Sequence, residues 1–363
     1  MTLWIDDPAL LREHLQDSPA WVGVDTEFVR ERTYWPQLAL VQLALGERIL
    51  LVDPLVPGMA EALRPLLTDR AVLKVMHSAS EDLVALSHDV GALPAPLFDT
   101  QVAAALCGIG GGMGYQKLVQ ELTGVTLTKG ETRSDWLRRP LSPAQLEYAA
   151  DDVVHLGALL GQLEQRLHAL GRCEWLAQDC ARMLANTDED QGERWPHLSM
   201  RSSQFIEPPA QLRLLRLLRW RDAQARSSDK PRSWILDNEL ATQLARTPPS
   251  DRAALQSQLD AHPKAPRKLG DAIWNALNTP LQDEAEAPLA RNATTEDKHT
   301  LKRLQEAVST ASAVLGLPDG LLASRRYLEL LKDSGQWPAA LGGWRREVLE
   351  PVLAPLLGSA PSG

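Results

Sequence analysis

Along the first part of the chain the apolar positions recur first with the period of strands and then with that of helices. Leu3 to Ile5 reads as a short strand, Asp7 as the cap of a helix over Pro8 to Gln16, and Trp21 to Phe28 as a longer strand. Leu38 to Leu45 and Arg48 to Val52 follow, separated by Gly46-Glu47, so three consecutive strands form an antiparallel meander. After Asp53-Pro54 the pattern alternates: a helix, a strand from Val72 to Met76, a helix from Ser80 to Ser87, and a short strand near Leu97-Phe98. Antiparallel strands followed by βαβ alternation predict an α/β domain of the ribonuclease-H-like kind, a mixed sheet flanked by helices. The glycine run from Gly108 to Gly114 lies between expected helices rather than after a strand, and reads as a loop, not a phosphate cradle. Ser142-Pro143 opens a helix expected to run to about Leu170.

Beyond Cys173 the pattern is helical throughout. An acidic stretch from Asp188 to Glu193 reads as the exit from the first domain, and the Asp, Glu, Ala and Pro-rich run from Gln282 to Thr295 as a linker. The expected organisation is an α/β domain over 1–195, a linker over 196–207, a helical domain over 208–281, a linker over 282–295 and a second helical domain over 296–358. A length of 363 residues accommodates that number of domains.

Within the second strand, Asp25 and Glu27 project to one side while Val24, Thr26 and Phe28 take the other. Two carboxylates this close repel unless a cation lies between them, and oxygen ligands suit Mg²⁺ or Mn²⁺. The alternative is an edge strand with both acids solvated. Further acids stand in His77-Ser-Ala-Ser-Glu-Asp-Leu83 and Tyr148-Ala-Ala-Asp-Asp152. On a helix Tyr148 and Asp152 share a face at i, i+4; Asp151 remains open at i, i+3, and Glu81 competes with Asp82.

Taken together, Asp-x-Glu on a strand, Asp-Leu in a later helix and Tyr-x-x-x-Asp in a late one resemble the three motifs of the DEDD exonucleases. The tyrosine marks the DEDDy branch. Val24-Asp-Thr-Glu-Phe28, Ser80-Glu-Asp-Leu83, Phe98-Asp-Thr-Gln101 and Glu147-Tyr-Ala-Ala-Asp-Asp-Val153 are similar to the bacterial ribonuclease D family. Leu321-Leu-Ala-Ser-Arg-Arg326 with Gly342-Gly-Trp-Arg-Arg346 resembles an HRDC domain, and Gln211 to Leu277 a more divergent copy.

The resemblance implies a 3′→5′ exoribonuclease that hydrolyses phosphodiesters with two divalent metal ions and releases 5′-mononucleotides, trimming RNA 3′ ends, those of tRNA precursors especially. Asp25, Glu27, Asp82 and Asp152 would hold the metals, and Tyr148 would orient the attacking water. A DNA 3′→5′ exonuclease and a catalytically inactive RNA-binding protein are the alternatives. Thr26, Phe28 and His77 are candidates for touching substrate, although a histidine ending a strand also reads as a loop hydrogen-bonder. Asp99 reads as a helix cap. Arg30, Arg32, Tyr34 and Trp35, just beyond the acidic strand, are placed to flank the terminal nucleotide with Phe28.

Charge sharpens one point. The chain carries a net −9, which argues against a nucleic-acid partner, yet residues 208–280 hold 12 Lys and Arg against 7 Asp and Glu, a net +5. Arg213, Arg216 and Arg219 recur along one helix as a candidate RNA clamp. The helical half is therefore expected to hold RNA, and residues 1–205 to cut it unaided. Trp220, Trp234, Trp274 and Trp344 lie among leucines and are expected in helical cores. Three cysteines without a C-x-x-C pair, no apolar run of membrane-span length and an acidic N-terminus predict a cytoplasmic protein.

Overall fold

The computed structural model describes every residue except 17–18, 128–129, 131–133, 190–191, 319 and 358–363; Asp190 and Gln191 of the expected acidic exit lie outside the described residues. The described chain forms two compact units: Met1–Val29 with Gln37–Glu189 and Thr295–Gly363, and Arg30–Pro36 with Asp190–Thr294.

The first unit is built on six strands: β1 (Thr2–Ile5), β2 (Trp21–Val29), β3 (Gln37–Leu45), β4 (Arg48–Val52), β5 (Leu73–Met76) and β6 (Leu97–Asp99), in the order β1-β4-β3-β2-β5-β6. The β2–β3 and β3–β4 pairs are antiparallel, and the β1–β4, β2–β5 and β5–β6 pairs parallel, so the sheet is mixed. Gly46, at φ +61°, supplies the left-handed turn between β3 and β4. Around the sheet stand α1 (Pro8–His14), α2 (Met59–Thr68), α3 (Ser80–Asp89), α4 (Thr100–Leu106), α5 (Tyr115–Thr123), α6 (Pro143–Val154), α7 (Leu156–Leu170) and α8 (Cys173–Asp188). The glycine run falls between α4 and α5, as a loop.

The helix expected from Ser142 to about Leu170 is two helices. It begins as the sequence predicts, with a capping box between Ser142 and Gln145. At His155 it breaks, because the Tyr115 hydroxyl enters the backbone ladder: it donates to the Asp151 carbonyl and accepts from the His155 amide, both at 3.2 Å. A side chain inserted between an i carbonyl and its i+4 amide is a known cause of helix kinks. The hydroxyl comes from another helix, so the local sequence holds no sign of it.

Helices α9 (Pro208–Ser228), α10 (Arg232–Ile235), α11 (Asn238–Arg246), α12 (Arg252–Ala261) and α13 (Gly270–Asn278) make the second unit, around a leucine-rich core in which Leu214, Leu240, Leu244 and Leu259 are fully buried. Helices α14 (Thr295–Leu315), α15 (Arg325–Ser334) and α16 (Trp344–Leu357) instead share one hydrophobic core with the sheet. The Trp344 ring stacks on Trp175 at 4.3 Å, and the Arg345 guanidinium pairs with the buried Asp179 carboxylate, its Nη2 lying 2.8 Å from Oδ2. Residues 1–205 therefore lack part of the core of the unit that holds the acids.

Candidate active site

The acids gather where β2 outruns its parallel neighbour. Pairing between β2 and β5 stops at Gly23 opposite Val75, so the next residues of β2 have no partner strand on that edge. On the other edge the register shifts between Glu27 and Phe28, with Ala39 left over as a bulge on β3. The Ala39 carbonyl accepts from Arg139 Nη2 at 2.6 Å, and the same guanidinium is held by both oxygens of Asp53 at 2.7 Å. This anchor fixes the bulge beside the last acid of the strand.

Alternation then distributes the acids. Asp25 and Glu27 meet Asp152 of α6, and a carboxylate oxygen from each of the three lies within 4.8 Å of the others. Thr26 points the opposite way, and its hydroxyl donates to Asp82 Oδ1 of α3 at 2.5 Å. Asp25 and Thr26 thus meet α6 and α3 from opposite sides of β2, and the Asp82 charge still reaches Asp25. Asp82 is itself aimed from behind: Asp99 caps α4 through the amides of Gln101 and Val102 and also accepts from the Ala79 amide at the start of α3, at 2.8 Å. The expected helix cap is present and serves two helices.

Burial and neighbouring negative charge raise the proton affinity of all four carboxyls. Asp25 is held well above the ordinary carboxylate range, first by burial and then by the charges of Asp82, Asp152 and Glu27. Burial with the charges of Asp152 and Asp82 pushes Glu27 up to about 8. Asp82 and Asp152 are pushed up to about 7, again chiefly by burial, against a hydrogen bond from Thr26 in the first case and from Tyr148 in the second. Four acids so placed demand positive charge, and hard oxygen donors on three elements fit a divalent cation. Tyr148 stands one turn before Asp152, and burial with the nearby carboxylates raises its pKa, so its hydroxyl stays protonated. The Trp136 ring lies 6.0 Å from the Tyr148 ring, and the Gly130 backbone passes so close that a β-carbon there would overlap it.

The other residues named from sequence take different places. Phe28 is half-buried at the bulge and packs on the core. His77 bonds Thr100 Oγ1 through Nδ1 at 2.8 Å and meets Tyr115 edge-on, which is the loop hydrogen-bonding role. Tyr34 is not free to stack on a base: it is 4% exposed, its ring lies 5.1 Å from the Arg226 guanidinium and 4.8 Å from that of Arg232, and its amide and that of Trp35 both donate to Asp229 Oδ1 at 3.0 Å. The arginine stripe is likewise engaged within the second unit. Arg213 donates to the Ala245 carbonyl, Arg216 to Glu284 and the Leu277 carbonyl, and Arg219 to Asp283 and the Arg194 carbonyl. Of the tryptophans, Trp344 is buried and Trp220 and Trp274 pack on a core, but Trp234 is 57% exposed. Sequence reasoning missed Arg139 and Asp53, whose contact links positions far apart in the chain.

A mixed sheet with an acidic cluster of this composition fits a metal-dependent nuclease, and the model of the 3′–5′ exonuclease domain family matches residues 4–168; a model of the HRDC domain matches residues 211–277. Ribonuclease D of Xanthomonas oryzae pv. oryzae is 65% identical over 98% of this chain and 99% of its own. Ribonuclease D of Escherichia coli K12 is 33% identical over 98% and 97%. The crystal structure of Escherichia coli RNase D superposes with a TM-score of 0.85 at 30% identity and covers all of both chains. The chain belongs to the ribonuclease D family and is a 3′–5′ exoribonuclease.

Proposed function

We propose that this exoribonuclease trims the 3′ ends of structured RNA, tRNA precursors in particular, by hydrolysis that depends on two divalent cations, Mg²⁺ or Mn²⁺, and releases 5′-mononucleotides. The observation that carries the reading is the convergence of Asp25, Glu27 and Asp152 within 4.8 Å, with Asp82 held beside them by Thr26. These four residues would hold the ions. When bound, such ions supply the counter-charge for the attacking and leaving oxygens of an in-line displacement at phosphorus.

The remaining work falls to side chains of this chain. Tyr148 keeps its proton and sits beside Asp152, so its hydroxyl orients the attacking water. Asp99, through Ala79, and Arg139, through Ala39, hold the two ends of the acid cluster in place. Phe28 flanks the terminal base at the bulge. Arg213, Arg216 and Arg219 are tied within the helical unit, so RNA is held there by other groups, and the exposed Phe205 and Trp234 offer faces for bases to stack on. A second HRDC-like domain over 296–358, separated by the 282–295 linker from the one over 208–281, and a cytoplasmic location complete the reading; three free cysteines suit the latter.

The structured substrate is supported by the described role of the Escherichia coli structure, "an exoribonuclease involved in structured RNA processing". The test is a tRNA precursor with a short 3′ extension, incubated with the full chain and Mg²⁺. Stepwise loss of the extension, with nucleoside 5′-monophosphates as product, supports the proposal; internal cuts or 3′-monophosphates overturn it.

A further inference from the structure

Strand β3 is buried over eight of its nine residues, and seven of the eight are apolar. The exception is Gln42, fully buried, with neither its carboxamide oxygen nor its nitrogen hydrogen-bonded among the described residues. A group of this kind is normally paired in a folded protein, because burial strips its water. Its place in the register is specific: Gln42 is directly opposite Asp25 in the antiparallel β2–β3 pair, and its neighbours on that face, Leu40 and Ala44, stand opposite Glu27 and Gly23. Residues opposite each other in such a pair point to the same face with β-carbons about 4.5–5.5 Å apart. The carboxamide therefore lies alongside the Asp25 carboxyl, on the side where Glu27 and Asp152 converge.

We infer that Gln42 is a positioning residue of the cation centre: its carboxamide hydrogen-bonds Asp25, directly or through one water, once that centre is loaded. The inference rests on the reading of Asp25 as a cation ligand. A carboxylate that ligates a cation keeps lone pairs free for a second partner, and the carboxamide directly opposite, which has no other partner among the described residues, can supply the N–H. The second contact then fixes which carboxylate oxygens face the ions, the role that outer partners of metal ligands commonly play.

The test uses the full chain as wild type, Gln42→Met and Gln42→Leu, with three readouts: melting in EDTA, Mg²⁺ affinity by calorimetric titration, and kcat and KM on end-labelled RNA. Without metal, both variants should melt at or above the wild-type temperature, since an unpartnered buried amide has been removed. Mg²⁺ should bind them about 10- to 100-fold more weakly, and kcat should fall while KM stays within about twofold. Mg²⁺ affinity within about threefold of wild type overturns the inference, whatever the activity, as does loss of fold in both variants, because apolar replacement of an unpartnered group should be tolerated. If the wild type itself takes up no Mg²⁺, it is the cation centre under Asp25, Glu27 and Asp152 that fails, and the two failures are distinct.

Discussion

Glu27→Gln should stabilise the metal-free protein while abolishing its turnover. Glu27 ionises near pH 4.5 in an unfolded chain and at about 8 in the fold, with burial and the charges of Asp152 and Asp82 as the causes. An acid whose pKa is higher folded than unfolded costs nothing below its unfolded value, where it is protonated in both states. The cost then grows as pH rises and is complete above the folded value. At about 1.4 kcal/mol per pH unit this one side chain costs about 4 kcal/mol at pH 8 and about 1.4 kcal/mol at pH 5.5. The amide that replaces it must still leave water, so the net gain at pH 8 should be about 2–4 kcal/mol. For a cooperative unit of this size that corresponds to a melting temperature roughly 5–12 °C higher in EDTA at pH 8, shrinking by about two-thirds at pH 5.5. Thermal melts at the two pH values measure it, and saturating Mg²⁺ should raise the wild type more than the variant. If Glu27→Gln melts at or below wild type in EDTA at pH 8, the acids are not in the mutual repulsion described, and the case for a cation between them weakens with it.

Three further outcomes follow from the same geometry. Tyr148→Phe removes only the hydroxyl beside Asp152 and should lower kcat about 10²- to 10⁴-fold with RNA affinity little changed; activity within about threefold of wild type returns Tyr148 to a packing role. Asp152→Asn should remove nearly all turnover while Asp151→Asn stays mild, because only Asp152 joins the cluster with Asp25 and Glu27; the reverse order in a steady-state assay contradicts that assignment. Deleting residues 295–363 removes Trp344 from Trp175 and Arg345 from the buried Asp179, which Arg182 also contacts at 3.0 Å. Breaking a buried pair of this kind costs about 3–5 kcal/mol, so the truncated protein should melt at least about 6 °C lower, and an unchanged melting temperature would show those helices to be independent of the sheet.

What could be read from the sequence was whatever is local. Alternation in Val24 to Phe28 puts Asp25 and Glu27 together, and helical spacing sets Tyr148 beside Asp152. The β2–β3–β4 meander and the capping box at Ser142 were legible for the same reason, since turn and cap chemistry lie within a few residues. What failed depended on distant partners. The break at His155 is made by Tyr115, a residue with no sequence relation to the helix it enters. The Arg213, Arg216 and Arg219 stripe has the spacing of an exposed cationic face, yet its partners are Ala245, Glu284 and Asp283. Tyr34 and Trp35 follow the acidic strand in sequence but are fastened by Asp229. Thr26 is the middle case: the sequence offers it as a substrate contact, and its hydroxyl donates to Asp82.

The most direct test of the account is a 5′-end-labelled RNA oligomer with a free 3′ hydroxyl, incubated with the full chain in EDTA, with Mg²⁺ restored, and with Asp25→Asn in Mg²⁺. The oligomer should be unchanged in EDTA, should give a ladder of products shortened one nucleotide at a time from the 3′ end when Mg²⁺ is present, and should give no ladder with the variant. Shortening that persists in EDTA, or that survives Asp25→Asn, would contradict the account.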